Sequence, residues 1–236
     1  MLNRFARALF TRLFTPVARL LLRLGVSPDV VTLVGTLGVS IGGLVFFPGG
    51  HLFTGTMVIV AFVFSDTIDG IMARMSGRSS DWGAYLDSTL DRVGDAAVFG
   101  GLVLYFAGRD QGDNLLGVAL ALLCLVLGSI TSYARARAEG LGMKADVGIA
   151  ERSDRLVAIL FTTGFCGWFV PDLALLIVMG LLGLASLSTV VQRILYVRKQ
   201  ALTPGRVDGV STRDAQLAAP GAGDRPVSDP VGNRDA

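Results

Sequence analysis

Long apolar runs separated by short polar segments dominate the chain between residues 26 and 200. Several runs approach or exceed about 18 nearly uncharged residues, long enough to cross a bilayer as a helix. The pattern predicts six membrane-spanning helices, near residues 29–48, 52–75, 82–107, 115–137, 154–170 and 173–197. Pro28 suits the start of the first helix, and Gly108 and Gly140 suit the ends of the third and fourth. The predicted fold class is an all-α integral membrane protein.

The two ends of the chain have a different pattern from the apolar middle. Residues 1–25 carry five arginines at roughly helical spacing opposite a stripe of apolar side chains. Placing five arginines in the hydrocarbon core would cost too much free energy for a spanning helix. An amphipathic helix in the membrane interface is therefore predicted. A cleaved transit peptide looks similar, but this segment runs directly into the first span. Residues 201–236 lack apolar periodicity and are predicted to be a disordered cytoplasmic tail, which leaves a six-helix domain at residues 26–200.

Composition and charge agree with this organisation. Hydrophobic residues make up 52% of the chain, and the mean hydropathy is +0.59, well above soluble proteins of this length. All basic residues except Arg92 and Arg109 fall within the termini or the segments on the same side as the termini. By the positive-inside rule, both termini face the cytoplasm, and a multi-pass protein of the plasma membrane is predicted. Nothing in the sequence indicates a nucleic-acid partner.

Acidic residues inside apolar helices are the candidate chemical groups. One face of predicted span two carries acids and small residues at the spacing i, i+3, i+4 and i+7, namely Asp66, Asp69, Gly70 and Ala73. One face of span three continues the pattern at intervals of four, namely Gly83, Asp87 and Asp91. Carboxylates at this depth are costly, which indicates that they have a function there.

The short turn between these two spans predicts an antiparallel hairpin centred near residues 78 and 79. Asp69 is then about level with Asp87, and Asp66 with Asp91, because each residue advances a helix by about 1.5 Å. Four facing carboxylates repel one another unless a cation lies between them. Hard oxygen ligands suit Mg²⁺ or Mn²⁺, and four of them can bridge two ions.

The same residues match a family signature, DxxDGxxARx8GxxxDxxxD, so the chain resembles the CDP-alcohol phosphatidyltransferases over about residues 26–197. The resemblance implies CDP-diacylglycerol as donor, an alcohol as acceptor and release of CMP. It implies that Asp66, Asp69 and Asp87 bind one metal ion and that Asp66, Asp87 and Asp91 bind a second. Asp91 also resembles the general base of the family, which takes the proton of the attacking hydroxyl.

Further contacts follow from the resemblance. The residues expected to bind the CDP-lipid are Asp29, Val30, Val31, Thr32, Gly70, Ala73, Arg74, Ser80 and Gly83. Gly70 and Gly83 leave room beside the acids, although glycines also serve helix packing. Ser80 has the alternative role of a helix cap. The family also implies a homodimer.

A second group of polar residues lies at the cytoplasmic ends of spans four, five and six: Ser132, Arg135, Arg152, Arg155 and Arg193. Convergent arginines suit a second phosphate, so the acceptor is predicted to be a phosphomonoester. The segments SYARARAE and ERSDRL resemble the branch of the family that uses L-myo-inositol 1-phosphate (1D-myo-inositol 3-phosphate), with arginine where lysine is expected at position 135. Glycerol 3-phosphate is the alternative acceptor. A membrane cation transporter, with the acids as its ion site, is the alternative from another class.

Overall fold

The computed structural model describes residues 2–77, 80–108, 115–166, 169 and 171–202, with the backbone alone for residues 2–10. Within these ranges the chain forms eight α-helices: α1 (Leu2–Arg23), α2 (Pro28–Ile41), α3 (Leu52–Val63), α4 (Ser65–Ser76), α5 (Asp81–Ala107), α6 (Leu115–Gly140), α7 (Arg152–Phe165) and α8 (Asp172–Ala201). No β-sheet occurs in these ranges. The centre of the predicted turn at residues 78 and 79, and the predicted tail from residue 203 onward, lie outside the described residues.

Four helical segments of the described chain are long and apolar enough to span a membrane: Pro28–Phe46, Leu52–Ser76, Leu115–Gly140 and Asp172–Ala201. The prediction of a helical membrane protein is therefore confirmed. Helix α5 has 27 residues and is long enough, but its first half is acidic. Helix α7 has 14 residues and is about 21 Å long, which is less than the hydrocarbon thickness of a bilayer. Six crossings stay a prediction.

Two of the predicted spans are interrupted. Helix α2 passes into a single π-helical turn, Gly42–Phe46, and Phe64 separates α3 from α4. The Thr67 amide bonds back to the Phe64 carbonyl at 3.1 Å, so α4 begins its own turn of helix there. Both helices pack on α2; α3 also packs on α7 and the π-helical turn, whereas α4 also packs on α1. Beyond the interruption, the acidic helix α4 thus keeps α2 as a neighbour and gains α1.

Local capping signals fix the helix ends near the acids. The Ser27 hydroxyl accepts from the Val30 amide at 3.4 Å, directly before the helix-starting Pro28. The Ser80 hydroxyl caps α5 in the same way, at 3.1 Å from the Gly83 amide. Helix α4 ends at Gly77, whose φ of 64° is left-handed and favours glycine.

Helix α5 forms the centre of the bundle and packs against α2, α6 and the π-helical turn. Its apolar half joins α6, α7 and α8 in one buried cluster that includes Phe99, Leu102, Phe106, Cys124, Ile159 and Met179. Gly43 and Gly101 let the π-helical turn and α5 touch through their backbones, because a Cβ on either would overlap backbone atoms of the other segment. The core thereby holds the apolar half of α5, and the acidic half extends toward the ends of α2 and α4.

Helix α1 lies against α4. Ala18 is fully buried with Ile71 and Met72 of α4, and these three form a second, smaller apolar cluster. On the other face of α1, apolar side chains such as Leu13 and Leu20 are exposed. This exposed face suits contact with lipid, and the location of α1 in the membrane interface stays a prediction.

Candidate active site

Three carboxylates from α4 and α5 meet at one place: Asp66, Asp69 and Asp87. One oxygen of each lies within 4.8 Å of the oxygens of the other two. Asp69 is buried, Asp87 is half-buried and Asp66 is exposed. The i, i+3 spacing places the first two on one face of α4, and the antiparallel α5 brings the third opposite them.

Thr32 of α2 contacts the most deeply buried of these acids. Its hydroxyl donates to Asp69 Oδ2 at 2.5 Å, across 37 positions of sequence. A hydrogen bond to a buried carboxylate restricts its orientation and offsets part of the cost of its burial. The structure therefore places Thr32 beside the carboxylates as well as beside the cavity described below.

The donor chemistry of the three carboxylates fits a divalent cation. Carboxylate oxygens are hard ligands of the kind that Mg²⁺ and Mn²⁺ prefer. Three acids this close repel one another, and a doubly charged ion between them would turn this repulsion into attraction. A metal would thus stabilise an arrangement that is otherwise unfavourable.

A cavity of about 480 Å³ opens beside these acids, between the starts of α2 and α5 and the length of α4. Its lining includes most of the residues expected to bind a CDP-lipid, namely Asp29, Thr32, Gly70, Ala73, Ser80 and Gly83. Val30, Val31 and Arg74 lie outside this lining; Val31 packs on the α1–α4 cluster, and Arg74 is exposed one turn beyond Gly70.

The two glycines of the signature face this cavity. A Cβ added to Gly70 would meet only the Arg74 guanidinium, at 3.9 Å, and one added to Gly83 only the Ser80 hydroxyl, at 3.5 Å. Neither glycine is held against another helix, so close packing does not explain them. A side chain at either position would instead extend into the space beside the acids.

Trp82 makes a contact with Asp29 that the sequence did not indicate. Its indole Nε1 donates to Asp29 Oδ2 at 3.2 Å and joins the start of α5 to the start of α2. The two residues are 53 positions apart, and no motif links them. Only the packing of α2 against α5 reveals that Trp82 bonds to Asp29, one of the carboxylates that line the cavity.

Asp91 lies one turn beyond Asp87 and is directed elsewhere. Its Oδ1 lies 2.8 Å from Nη1 of Arg152, the first residue of α7. Arg152 also bonds through Nε to Asp95 Oδ1 at 3.0 Å. The structure therefore brings together three of the four expected metal ligands and pairs the fourth with an arginine.

Asp91 and Arg152 lie between two further cavities. A small cavity is lined by all four signature aspartates, Asp66, Asp69, Asp87 and Asp91, together with Arg152. A second cavity, of about 900 Å³, is lined by residues of α5, α6, α7 and α8, and Asp91 and Arg152 belong to its wall as well. Asp66, Asp69 and Asp87 therefore border the glycine-lined cavity, and Asp91 borders the arginine-lined cavity.

The larger cavity brings together all five residues predicted for an acceptor phosphate: Ser132, Arg135, Arg152, Arg155 and Arg193. Arg155 is only 2% exposed, and Arg193 only 6%. Arg193 donates to the carbonyls of Val147, at 2.9 Å, and Thr131, at 2.5 Å. Arg155 donates to the Ala150 carbonyl at 3.4 Å.

The charge of this cavity suits an anion. Carbonyl oxygens orient the guanidinium groups of Arg155 and Arg193, and Asp95, 3.8 Å from Arg155 Nη2, offsets part of the charge of Arg155. Arg135, at the rim, is already paired with Glu139 at 2.9 Å and Asp146 at 2.8 Å. Buried positive charge that acids do not fully neutralise favours a phosphate, which binds arginine by charge-assisted hydrogen bonds.

Comparison with known proteins agrees with this geometry. The family model described as CDP-alcohol phosphatidyltransferase matches residues 25–204, which is most of the chain. The chain belongs to the CDP-alcohol phosphatidyltransferase family. Among the similar members of this family, the phosphatidylinositol phosphate synthase of Streptomyces avermitilis is 50% identical over 207 residues, which cover 85% of this chain and 84% of the relative. The phosphatidylinositol phosphate synthase of Mycobacterium tuberculosis is 43% identical over 222 residues, which cover 93% and 97%.

Solved structures of the same family have this fold. A crystal structure of the Mycobacterium tuberculosis phosphatidylinositol phosphate synthase with CDP-DAG bound superimposes with a TM-score of 0.75 and covers 85% of this chain and 99% of that one. A crystal structure of the same enzyme in complex with manganese and citrate gives a TM-score of 0.75 and covers 84% and 93%. Both are 43% identical to this member of the family.

Proposed function

We propose that this member of the family transfers the phosphatidyl group of CDP-diacylglycerol to a hydroxyl of L-myo-inositol 1-phosphate (1D-myo-inositol 3-phosphate), with phosphatidylinositol phosphate and CMP as products. The proposal rests above all on one observation. The signature aspartates lie between a glycine-lined cavity and an arginine-lined cavity, and Asp91 borders the latter. Relatives named phosphatidylinositol phosphate synthase support the choice of acceptor.

The carboxylates provide the metal site in this proposal. Asp66, Asp69 and Asp87 hold one Mg²⁺ or Mn²⁺, and Asp66, Asp87 and Asp91 hold a second. Such ions neutralise a pyrophosphate and stabilise the charge that develops when phosphorus is attacked. The relative crystallised in complex with manganese supports a divalent cation. Thr32 keeps Asp69 oriented toward the site.

The donor occupies the cavity beside the acids. Gly70 and Gly83 leave its floor without side chains, so that a nucleotide can approach the backbones of α4 and α5. Asp29, held by Trp82, is available to the polar edge of the cytosine ring or to the ribose. Arg74 lies beyond Gly70, where its charge offsets that of the pyrophosphate. The relative with CDP-DAG bound supports this donor.

The chemistry is one displacement at phosphorus. Asp91 accepts the proton of an acceptor hydroxyl on one carboxylate oxygen, and the hydroxyl oxygen forms a bond to the lipid-side phosphorus. The bond from that phosphorus to the bridging oxygen breaks, and its electron pair leaves with CMP. Asp91 borders the arginine-lined cavity and also lines the small cavity that contains all four signature aspartates, so its carboxylate can reach the acceptor hydroxyl from a position beside the metal-binding acids.

We also propose how the chain crosses the membrane. Helices α5 and α7 add two crossings to the four apolar spans, with the acids of α5 shielded by α2 and α4. Both termini and both cavities face the cytoplasm at the plasma membrane, where the basic residues concentrate. The protein forms a homodimer, as the family resemblance implies.

An acceptor panel tests the proposal. Purified protein is given CDP-diacylglycerol and Mn²⁺ with inositol 1-phosphate, inositol, glycerol 3-phosphate or serine in parallel, and CMP release is measured. The expected result is release with inositol 1-phosphate that stops when donor or metal is omitted. Faster turnover of glycerol 3-phosphate would favour phosphatidylglycerophosphate synthesis. Nucleotide-independent metal flux into liposomes, with no CMP release, would favour a transporter.

Substitution of Arg193 tests the acceptor cavity. Arg193→Ala is expected to raise the KM for inositol 1-phosphate by about 10- to 100-fold, because a charge-assisted hydrogen bond contributes roughly 1.5–3 kcal/mol. The KM for CDP-diacylglycerol should change little. Initial rates against each substrate measure both constants. Arg137 is an exposed arginine on α6, and Arg137→Ala is the matched control. If the donor KM rises more than the acceptor KM, the phosphate lies elsewhere.

Substitution of Thr32 tests the support of the metal ligands. Thr32→Val is expected to raise the Mn²⁺ concentration for half-maximal activity by about 10- to 100-fold, because groups that orient metal ligands typically contribute this much to affinity. Thr32→Ser keeps the hydroxyl and should resemble the wild type. CMP release against Mn²⁺ concentration measures the effect. A change confined to the donor KM would instead mean that Thr32 binds the nucleotide only.

A further inference from the structure

Arg152 holds two acids of α5 with one guanidinium group. Its Nη1 lies 2.8 Å from Asp91 Oδ1, and its Nε lies 3.0 Å from Asp95 Oδ1. Its Nη2 also approaches the Asp91 backbone carbonyl at 3.5 Å. Arg152 begins α7, where the Glu151 amide donates to the Asp154 carboxylate at 3.2 Å and fixes the first turn. The guanidinium is thus attached to a defined helix start and spans one turn of α5.

Asp95 is the buried end of this arrangement. It is only 7% exposed, lies outside the family signature, and faces three guanidinium groups. Arg152 is the closest, whereas Arg92 and Arg155 lie at 3.7 Å and 3.8 Å. A buried carboxylate is costly unless it is paired, so Asp95 favours a conformation in which Arg152 stays beside it.

We propose that Asp95 and Arg152 are positioning residues for the reaction: Asp95 fixes Arg152, and Arg152 holds the Asp91 carboxylate between the small cavity lined by the four signature aspartates and the arginine-lined cavity. This inference rests on the proposed role of Asp91 as the proton acceptor. It changes the expectation for Arg152, which was predicted to bind the acceptor phosphate. Two of its donor groups lie within 3.0 Å of acids, whereas Arg193 bonds to carbonyl oxygens and Arg155 bonds to a carbonyl oxygen and lies 3.8 Å from Asp95.

Such positioning affects turnover more than binding. A proton acceptor has to lie within hydrogen-bond reach of the reacting hydroxyl, and a displacement of about 1 Å can lower the rate by roughly 100-fold. Arginine is suited to this task because its rigid planar fork can bind two carboxylates at once. Lysine has one compact ammonium group, and it would hold Asp91 or Asp95 less firmly.

A double-mutant cycle tests the inference. Arg152→Ala is expected to lower kcat by about 100-fold and Asp95→Asn by about tenfold, with both KM values within about threefold of wild type. If Asp95 acts through Arg152, the double variant should have the kcat of Arg152→Ala alone, within about threefold. Arg152→Lys should recover part of the lost kcat. Arg137→Ala again serves as the control, and the melting temperature of each purified variant reports folding.

Several results would overturn the inference. A rise in the acceptor KM with kcat unchanged would make Arg152 a phosphate ligand. Losses that multiply in the double variant would mean that Asp95 and Arg152 act independently. If Asp95→Asn fails to fold, the kcat and KM of Arg152→Ala and Arg152→Lys alone decide between positioning and phosphate binding. Failure of the proposed function is distinguishable, because the wild type would then release no CMP in the acceptor panel.

Discussion

Asp91→Asn is expected to lower kcat by about 10²- to 10⁴-fold, the usual contribution of a positioned general base. Asparagine has nearly the same shape but cannot accept the proton of the acceptor hydroxyl. The two KM values should change much less, since Asp91 is one of many residues that line the arginine-lined cavity and is not among those that line the glycine-lined cavity. Initial rates of CMP release, measured while one substrate is varied and the other is held at saturation, give kcat and both KM values.

The control for this variant lies on the same helix. Thr89 is exposed, and its hydroxyl bonds back to the Tyr85 carbonyl at 2.8 Å. Thr89→Ala therefore perturbs α5 close to Asp91 without touching the cavities, and its kcat should remain near that of the wild type. A purified Asp91→Asn protein with near-normal turnover would end the assignment of Asp91 as the base.

The second large effect is expected at the metal site. Asp87→Asn should lower kcat by roughly 10³-fold at an Mn²⁺ concentration that saturates the wild type. A metal ion contributes several kcal/mol to transition-state stabilisation, and about 1.4 kcal/mol corresponds to tenfold in rate. Asp87 supplies the only oxygen that α5 contributes to the described three-carboxylate group. Its loss leaves two ligands from α4.

A second readout separates this effect from misfolding. Without metal, Asp87→Asn removes like-charge repulsion beside Asp66 and Asp69, so its melting temperature should be at least that of the wild type. Added Mn²⁺ should raise the melting temperature of the wild type, because a ligand that binds only the folded state stabilises it, and should do so far less in the variant. An unaltered Mn²⁺ response in both activity and melting temperature would place the metal elsewhere.

Several features of the site follow from local spacing and were predictable. Asp66 and Asp69 are three residues apart, so any helix places them on one face. A short connection to the next helix then brings Asp87 opposite them, whatever the details of the turn. The convergence of the acceptor arginines was predictable from charge, because the positive-inside rule predicts the basic ends of α7 and α8 on one side, and Arg155 and Arg193 do border one cavity.

Other features depend on tertiary packing and were not predictable. The apolar run continues through Phe64, so nothing in its pattern separates α3 from α4; the break coincides with a change of packing partners from α7 and the π-helical turn to α1, while α2 contacts both helices. The pairing of Asp91 with Arg152 joins positions 61 residues apart in the chain. From spacing alone, Asp91 was expected beside Asp66, because the pattern on α5 contains no information about a guanidinium group from α7.

The most direct test of the account is the position of the metal. Crystals of the wild type grown with Mn²⁺, measured at the manganese absorption edge, would show each bound ion as an anomalous peak. We expect a peak between the carboxylates of Asp66, Asp69 and Asp87, beside the glycine-lined cavity. Those three side chains turned away from one another, with manganese bound at some other place or not at all, would contradict it.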